Sequence, residues 1–120
     1  MSPKAKRELA RQHLETARED LEGERYGDAL NAMFHAAEAA VVWLSDHHGI
    51  ETRRLHWVKA EAAEQLHAQG LTRSDHGDLL RDLNQGRKDY WYDGEEPDPE
   101  ELHAYLAEVE ALVGDAEAVR

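Results

Sequence analysis

Apolar residues recur every three or four positions along most of this chain, and Gly and Pro separate the runs in which they do so. This spacing places apolar side chains on one face of a helix. The runs are rich in Ala, Leu, Glu and Arg, which favour helices, and none shows the alternation of a strand. The pattern predicts five helices, at about 3–22, 26–47 (or from 28), 53–69, 72–90 (or from 74) and 99–118.

The best-defined helix start belongs to the fifth helix. Asp98 is a good N-cap, Pro99 suits the first helical position, and Glu101 lies where a capping box needs it. Ser2 and Pro3 form a similar start for the first helix. Short links between long helices favour antiparallel neighbours. We therefore expect residues 1–120 to form one all-α domain, an up-and-down four-helix bundle with an additional fifth helix.

The apolar stripes suggest which faces form the core. The second helix is rich in Ala, which lets neighbours approach closely, so we expect it to be central. The third helix has its stripe at Leu55, Val58, Ala62 and Leu66, and the fourth at Leu79, Leu80 and Leu83. Arg87 and Tyr90 continue the fourth stripe. An arginine on a core-facing stripe must find a partner, so Arg87 becomes a candidate functional residue.

Composition narrows the function classes. The chain has no cysteine, which excludes disulfides, thiolate metal sites and cysteine nucleophiles. Its longest apolar stretch, 36–44, is interrupted by Glu38 and falls far short of the ~18 residues that indicate a membrane span. No signal peptide is visible at the start. We therefore expect a cytoplasmic protein with no membrane partner and no cofactor.

The net charge of −12 disfavours nucleic acid at long range. It is unevenly distributed, however: residues 95–120 carry nine acidic residues against one arginine, whereas residues 53–88 carry seven basic against five acidic residues. If any face meets an anion, it belongs to this middle section. The alternative interpretation is that these charges lie on solvated helix faces.

Three segments together resemble the HEPN domain family. They are the Ala-rich segment 26–40 (YGDALNAMFHAAEAA), His56 at the start of the third helix, and segment 79–90 (LLRDLNQGRKDY), with an arginine shortly before Asp-Tyr. The resemblance spans about residues 7–115. It implies a helical bundle that dimerises, in many members beside a nucleotidyltransferase. It also implies a metal-independent ribonuclease site in members that carry an arginine followed four to six residues later by histidine.

The ribonuclease pattern is incomplete in this chain. Arg87 matches the arginine, but Trp91, Tyr92 and Asp93 stand where the histidine belongs. Indole does not exchange protons near neutral pH, and tyrosine, with a pKa near ~10, replaces imidazole poorly. The sequence therefore predicts no catalytic residues, and a non-catalytic binding or oligomerisation module. If the chain is a nuclease, we expect Arg87 to act with Tyr92, or with a histidine from elsewhere, His35 or His56.

The predicted partners follow from the resemblance and the aromatic residues. We expect a homodimer, with a nucleotidyltransferase-type protein, a nucleotide or RNA as further partners. The predicted ligand or interface residues are Arg87, Tyr90, Trp91, His56, Arg53 and His35. At least one of Trp91 and Tyr92 should be exposed. Trp91 either lies in an interface or folds over the Gly94 loop, and His35 is either a hydrogen-bonded histidine at the edge of the core or part of a cleft.

A metal-binding bundle is the third alternative. Glu64 and His67 on the third helix, and Glu100 and His103 on the fifth, have the Glu-x-x-His spacing of di-iron bundles. Leu66 and Leu102, however, lie on the apolar stripes, which turns both histidines away from the core. The sequence therefore predicts no metal site.

Overall fold

The structure is a computed structural model that describes residues 3–52 and 55–119, with side chains from residue 6 onward. It is an all-helical bundle, as the apolar spacing predicts. Its five helices are α1 (Pro3–Glu22), α2 (Tyr26–His47), α3 (His56–Ala68), α4 (Gly77–Asp93) and α5 (Pro99–Ala118).

The starts of α3 and α4 differ from the prediction. Leu55, assigned to the α3 stripe, is an extended N-cap residue with its side chain 49% exposed. Because it lies outside the helix, it does not share the buried face of α3. Neither Thr72 nor Ser74 caps α4: the Thr72 hydroxyl donates to the Ser74 carbonyl (2.8 Å), and α4 begins only at Gly77. Ser2, the predicted cap of α1, lies outside the described residues.

The C-terminal end of α4 extends beyond the predicted Tyr90. The helix continues through Asp93 and ends at Gly94, whose left-handed backbone (φ 68°) is easily adopted by glycine. Trp91 and Tyr92 are therefore helical residues rather than loop residues. Pro99 and the Asp98 cap of α5 are as predicted, since an Asp98 side-chain oxygen accepts from the Glu100 amide at 3.0 Å.

Helix α2 is central, as predicted, because it packs against each of the other four helices. Its buried side chains include Met33, Phe34, Val41 and Leu44. Burying about 25 cal/mol per Å² of apolar surface is the main stabilising contribution to such a core. Cross-helix pairs give the directions of the helices: Glu38 meets His56 near the start of α3, and His56 meets Arg87 in the second half of α4.

The first and last helices run antiparallel and are joined along their length by polar contacts. Arg11 Nε lies 2.8 Å from Glu117 Oε2, and Arg18 Nε lies 3.1 Å from Glu110 Oε1. Arg7 Nη1 donates to the Val119 carbonyl at 2.9 Å, just beyond the end of α5. The two ends of the described chain are therefore neighbours. No helix within the described ranges is long and apolar enough to cross a membrane.

Candidate functional site

The start of α3 and the second half of α4 bring His56 and Arg87 into direct contact. Arg87 Nη2 lies 3.0 Å from His56 Nε2. The sequence predicts that no imidazole lies next to Arg87, because residues 91–93 of the same helix include no histidine. This prediction is wrong for the folded chain. The fold provides the imidazole from α3, 31 residues earlier in the chain.

A buried carboxylate orients the His56 ring. Glu38 Oε2 lies 2.6 Å from His56 Nδ1, and the Glu38 side chain is only 11% exposed. Because a guanidinium only donates, the contact with Arg87 requires Nε2 to be the accepting nitrogen and Nδ1 to carry the proton. Glu38 thus selects one tautomer of His56, whose side chain remains 37% exposed. An imidazole held by a carboxylate in this way is suited to accept a proton at Nε2 when the Arg87 N–H that contacts this nitrogen turns to another acceptor.

Three further residues complete the site, and the sequence prediction of the site omitted them. Lys59, one turn after His56, places Nζ 3.2 Å from Glu38 Oε2. Asn84 accepts a hydrogen bond from Arg87 Nε at 3.1 Å. The Arg87 guanidinium carbon lies 4.3 Å from the centroid of the Phe34 ring, in a cation–π contact. Glu38, the carboxylate that joins Lys59 to His56, did carry a sequence signal. A charged residue inside an apolar run must find partners.

The site has an excess of positive charge. Within the described residues no carboxylate pairs with Arg87, and its remaining N–H groups have no acceptor. The Glu38 carboxylate is shared between Lys59 and His56. The charges of Arg87, Lys59 and Glu38 therefore sum to one net positive charge. In a chain with a net charge of −12, this is a local positive face, and both of its cations belong to the section 53–88.

A groove next to the site contains two more histidines. His35 and His13 lie with ring centroids 5.4 Å apart, across the contact between α1 and α2. Partial burial lowers the pKa of His35, the charges of Arg87 and Lys59 lower it further, and Glu38 opposes this shift. Partial burial also lowers the pKa of His13, with a contribution from His35. Both imidazoles are therefore neutral at pH 7. His35 lines this groove, and whether the groove has a function stays a prediction.

The aromatic residues predicted at this end of α4 occupy different environments. Trp91 and Tyr92 are 62% and 83% exposed, as predicted for at least one of them. Tyr90 is half-buried over Gly27, where an added Cβ would lie 2.2 Å from Tyr90 Cζ. Trp57, which is not among the predicted site residues, is 59% exposed next to His56. Arg53, a predicted ligand residue, lies outside the described residues.

A second groove, of about 270 Å³, lies between α4 and the start of α5 and has the opposite charge. Six carboxylates line it: Asp82, Asp89, Glu95, Glu96, Asp98 and Glu101. This groove is therefore unsuited to binding an anion. Within the described part of the chain, no group of three His, Asp or Glu residues is placed to hold a metal ion. His67 and His103 are both exposed, away from the core.

Comparison with known proteins gives one match, to a family model that covers nearly the whole chain. No curated protein and no solved structure matches it significantly. A family model described as "HEPN domain", however, matches residues 4–119, nearly the full length, and this range contains all of the site residues described above. The all-helical architecture agrees with the fold of that family. The chain therefore belongs to the HEPN domain family.

Proposed function

We propose that this chain is an RNA-binding HEPN module whose Arg87 engages a phosphate of a single strand. The supporting observation is the Arg87 guanidinium, which is held in place by Asn84 and Phe34 but is not neutralised by any carboxylate among the described residues. A guanidinium fixed in this way pairs well with phosphate oxygens. Lys59 adds a second cation, which pairs with the same Glu38 carboxylate that contacts His56.

The rest of the surface limits the size of the ligand. The net charge of −12 opposes the approach of a long polyanion, so binding depends on one or two phosphates at the Arg87 face. A short single strand or a free nucleotide meets this condition better than a duplex. For single-stranded RNA, the logarithm of the affinity should then fall with the logarithm of salt concentration with a slope of roughly −0.7 to −1.4.

Replacing Arg87 with alanine tests the binding proposal. We expect Arg87→Ala to weaken binding of a fluorescein-labelled 2′-O-methyl hexauridylate about tenfold or more in fluorescence polarisation, since a charged hydrogen bond contributes about 1.5–3 kcal/mol. The matched control is Arg81→Ala on the same helix, because Arg81 is exposed and pairs with Glu64 (2.7 Å) instead. Equal affinities for the Arg87 and Arg81 variants would contradict the proposal.

The second candidate function is metal-independent RNA cleavage, which the orientation of His56 by Glu38 favours. Once Arg87 Nη2 has turned from His56 Nε2 to the phosphate, Nε2 would take the proton of a ribose 2′-hydroxyl, and the 2′-oxygen would then attack the adjacent phosphorus. The bond to the 5′-oxygen breaks, that oxygen receives a proton from a second imidazole, and a 2′,3′-cyclic phosphate remains. Arg87 would stabilise the negative charge that develops on the phosphoryl oxygens.

The second imidazole would come from a second copy of the chain. Four exposed apolar side chains, the apolar rim, lie at the end of the α3–α4 pair next to the site: Leu55, Trp57, Trp91 and Tyr92. Exposed aromatic residues are enriched in protein interfaces. A homodimer through the apolar rim would cover these side chains and bring two Arg87–His56 pairs near each other. A nucleotidyltransferase-type protein would be an additional partner, as the family resemblance implies.

Light scattering coupled to gel filtration tests the dimer. We expect the mass of a dimer for the native chain and of a monomer for Trp91→Glu, since a buried unpaired carboxylate costs several kcal/mol. His103→Glu on α5, which adds the same charge at an exposed position, should remain dimeric. A native chain that is monomeric at high concentration, or a Trp91→Glu variant that still dimerises, would argue against this interface.

A further inference from the structure

A groove between α1 and α2 continues from the Arg87 face and has no role in the function proposed above. Its volume is about 390 Å³, within the range of small-molecule sites. The lining consists of three aliphatic side chains, two imidazoles, two ammonium groups and one carboxylate: Leu9, Ala39, Val42, His13, His35, Lys6, Lys59 and Glu38. The aliphatic side chains and the two rings form its apolar part, and the charged groups add one net positive charge.

The groove and the Arg87 face share residues. Glu38 and Lys59 line the groove, and the same Glu38 carboxylate holds His56 at 2.6 Å. His56 in turn contacts Arg87. One histidine side chain thus separates the groove from the guanidinium, so a ligand with an anionic group on Arg87 can extend its other end past His56 into the groove.

The two imidazoles of the groove remain available to a ligand, whereas Lys6 pairs with Asp46 and Lys59 pairs with Glu38. Neither His13 nor His35 makes a hydrogen bond to another described residue, although their rings contact each other. Because both imidazoles are neutral at pH 7, they offer one donor and one acceptor each without repelling a neutral ring. Flat heterocycles stack on such rings and on aliphatic side chains.

We propose that this groove receives the nucleobase next to the phosphate bound by Arg87. The inference rests on the proposed RNA-binding function and adds a base subsite to it. A nucleobase fits the observations because it is flat, uncharged and polar at its edges, and because its phosphate must lie a short distance away. The groove between α4 and α5, lined by carboxylates, offers no comparable place beside Arg87.

Two labelled strands with the same phosphates test the subsite: 2′-O-methyl tetraadenylate and its abasic counterpart. We expect the native chain to bind the adenylate strand about fivefold or more tightly than the abasic strand, the lower end of what stacking contributes per base. Val42→Trp, which fills the groove, should lower the adenylate affinity to that of the abasic strand. Val42→Ala, which leaves the groove open, should retain the preference.

The outcomes separate the subsite from the binding function. Equal affinity of the native chain for the two strands, or a preference that persists in Val42→Trp, would overturn the subsite. Arg87→Ala should lower the affinity for both strands. If it lowers neither affinity, the proposed function itself fails. Circular dichroism monitors folding of Val42→Trp. If that variant is unfolded, Ala39→Leu occupies the same groove with a smaller side chain and must remove the preference for the subsite to stand.

Discussion

His56→Ala should slow RNA cleavage by at least about 100-fold, the lower end of what a positioned general acid or base contributes. The substrate is a fluorescent RNA hexamer incubated with the native chain in EDTA, and the expected product ends in a 2′,3′-cyclic phosphate. The loss should be large because His56 is the imidazole in contact with Arg87 and the one held by Glu38.

His67→Ala is the matched control for this experiment. His67 lies on the same helix, α3, but is exposed and contacts the Thr72 carbonyl at 3.2 Å. Its removal should leave the rate unchanged, and a 2′-O-methyl strand should resist cleavage because it lacks the attacking hydroxyl. Cleavage that survives His56→Ala, or that EDTA abolishes, would refute the catalytic candidate. A native chain that binds RNA without cutting it would refute cleavage but leave the Arg87 binding proposal intact.

Phe34→Ala should reduce the free energy of unfolding by about 3–5 kcal/mol, the usual cost of truncating a buried phenylalanine. Phe34 is 1% exposed in the central helix, and its ring also supports the Arg87 guanidinium at 4.3 Å. A domain of this size has only about 5–15 kcal/mol of stability. The loss should therefore appear as a large fall in the urea midpoint followed by circular dichroism.

The milder substitution Phe34→Leu separates packing from the contact with Arg87. A leucine restores most of the buried volume and should cost less than about 1.5 kcal/mol. It has no ring face, however, so the cation–π contact with Arg87 disappears and RNA affinity should fall while the fold persists. If Phe34→Ala unfolds at the same urea concentration as the native chain, Phe34 does not have the central packing role described here.

The helices themselves could be predicted because their signals are local. The α5 start depends on Asp98 and Pro99, which act within one turn, and the prediction there is confirmed. The α4 start combines a local contact, in which the Gly77 amide donates to Asp75 Oδ1 at 2.9 Å, with a tertiary contact that the local pattern does not contain. A Cβ at Gly77 would lie 2.5 Å from Glu64 Cγ, so this glycine allows α3 and α4 to approach where α4 begins. Thr72 and Ser74 look like caps but bond to each other within the preceding turn.

For the candidate site, the sequence pointed to individual residues but not to their arrangement. Arg87 and His56 were both selected, yet spacing along one helix suggested that Arg87 has no imidazole. The contact between them is long-range, so only the packing of α3 on α4 reveals it. Lys59 and Asn84 were missed because a lysine and an asparagine on exposed-looking helix turns carry no sequence signal of their own. Glu38 was noticed as an interruption of an apolar run, but its partner was not identified.

The contact between Arg7 and the Val119 carbonyl has a consequence for protein engineering. Since residues 7 and 119 are neighbours, a short flexible linker could join the two ends and new ends could be opened elsewhere, for example in the turn around Gly70, where an added Cβ would meet nothing within 4 Å. Circular permutation is tolerated when ends lie together and new ones fall in exposed turns. Such a rewired chain would retain the same five helices with a different order of synthesis.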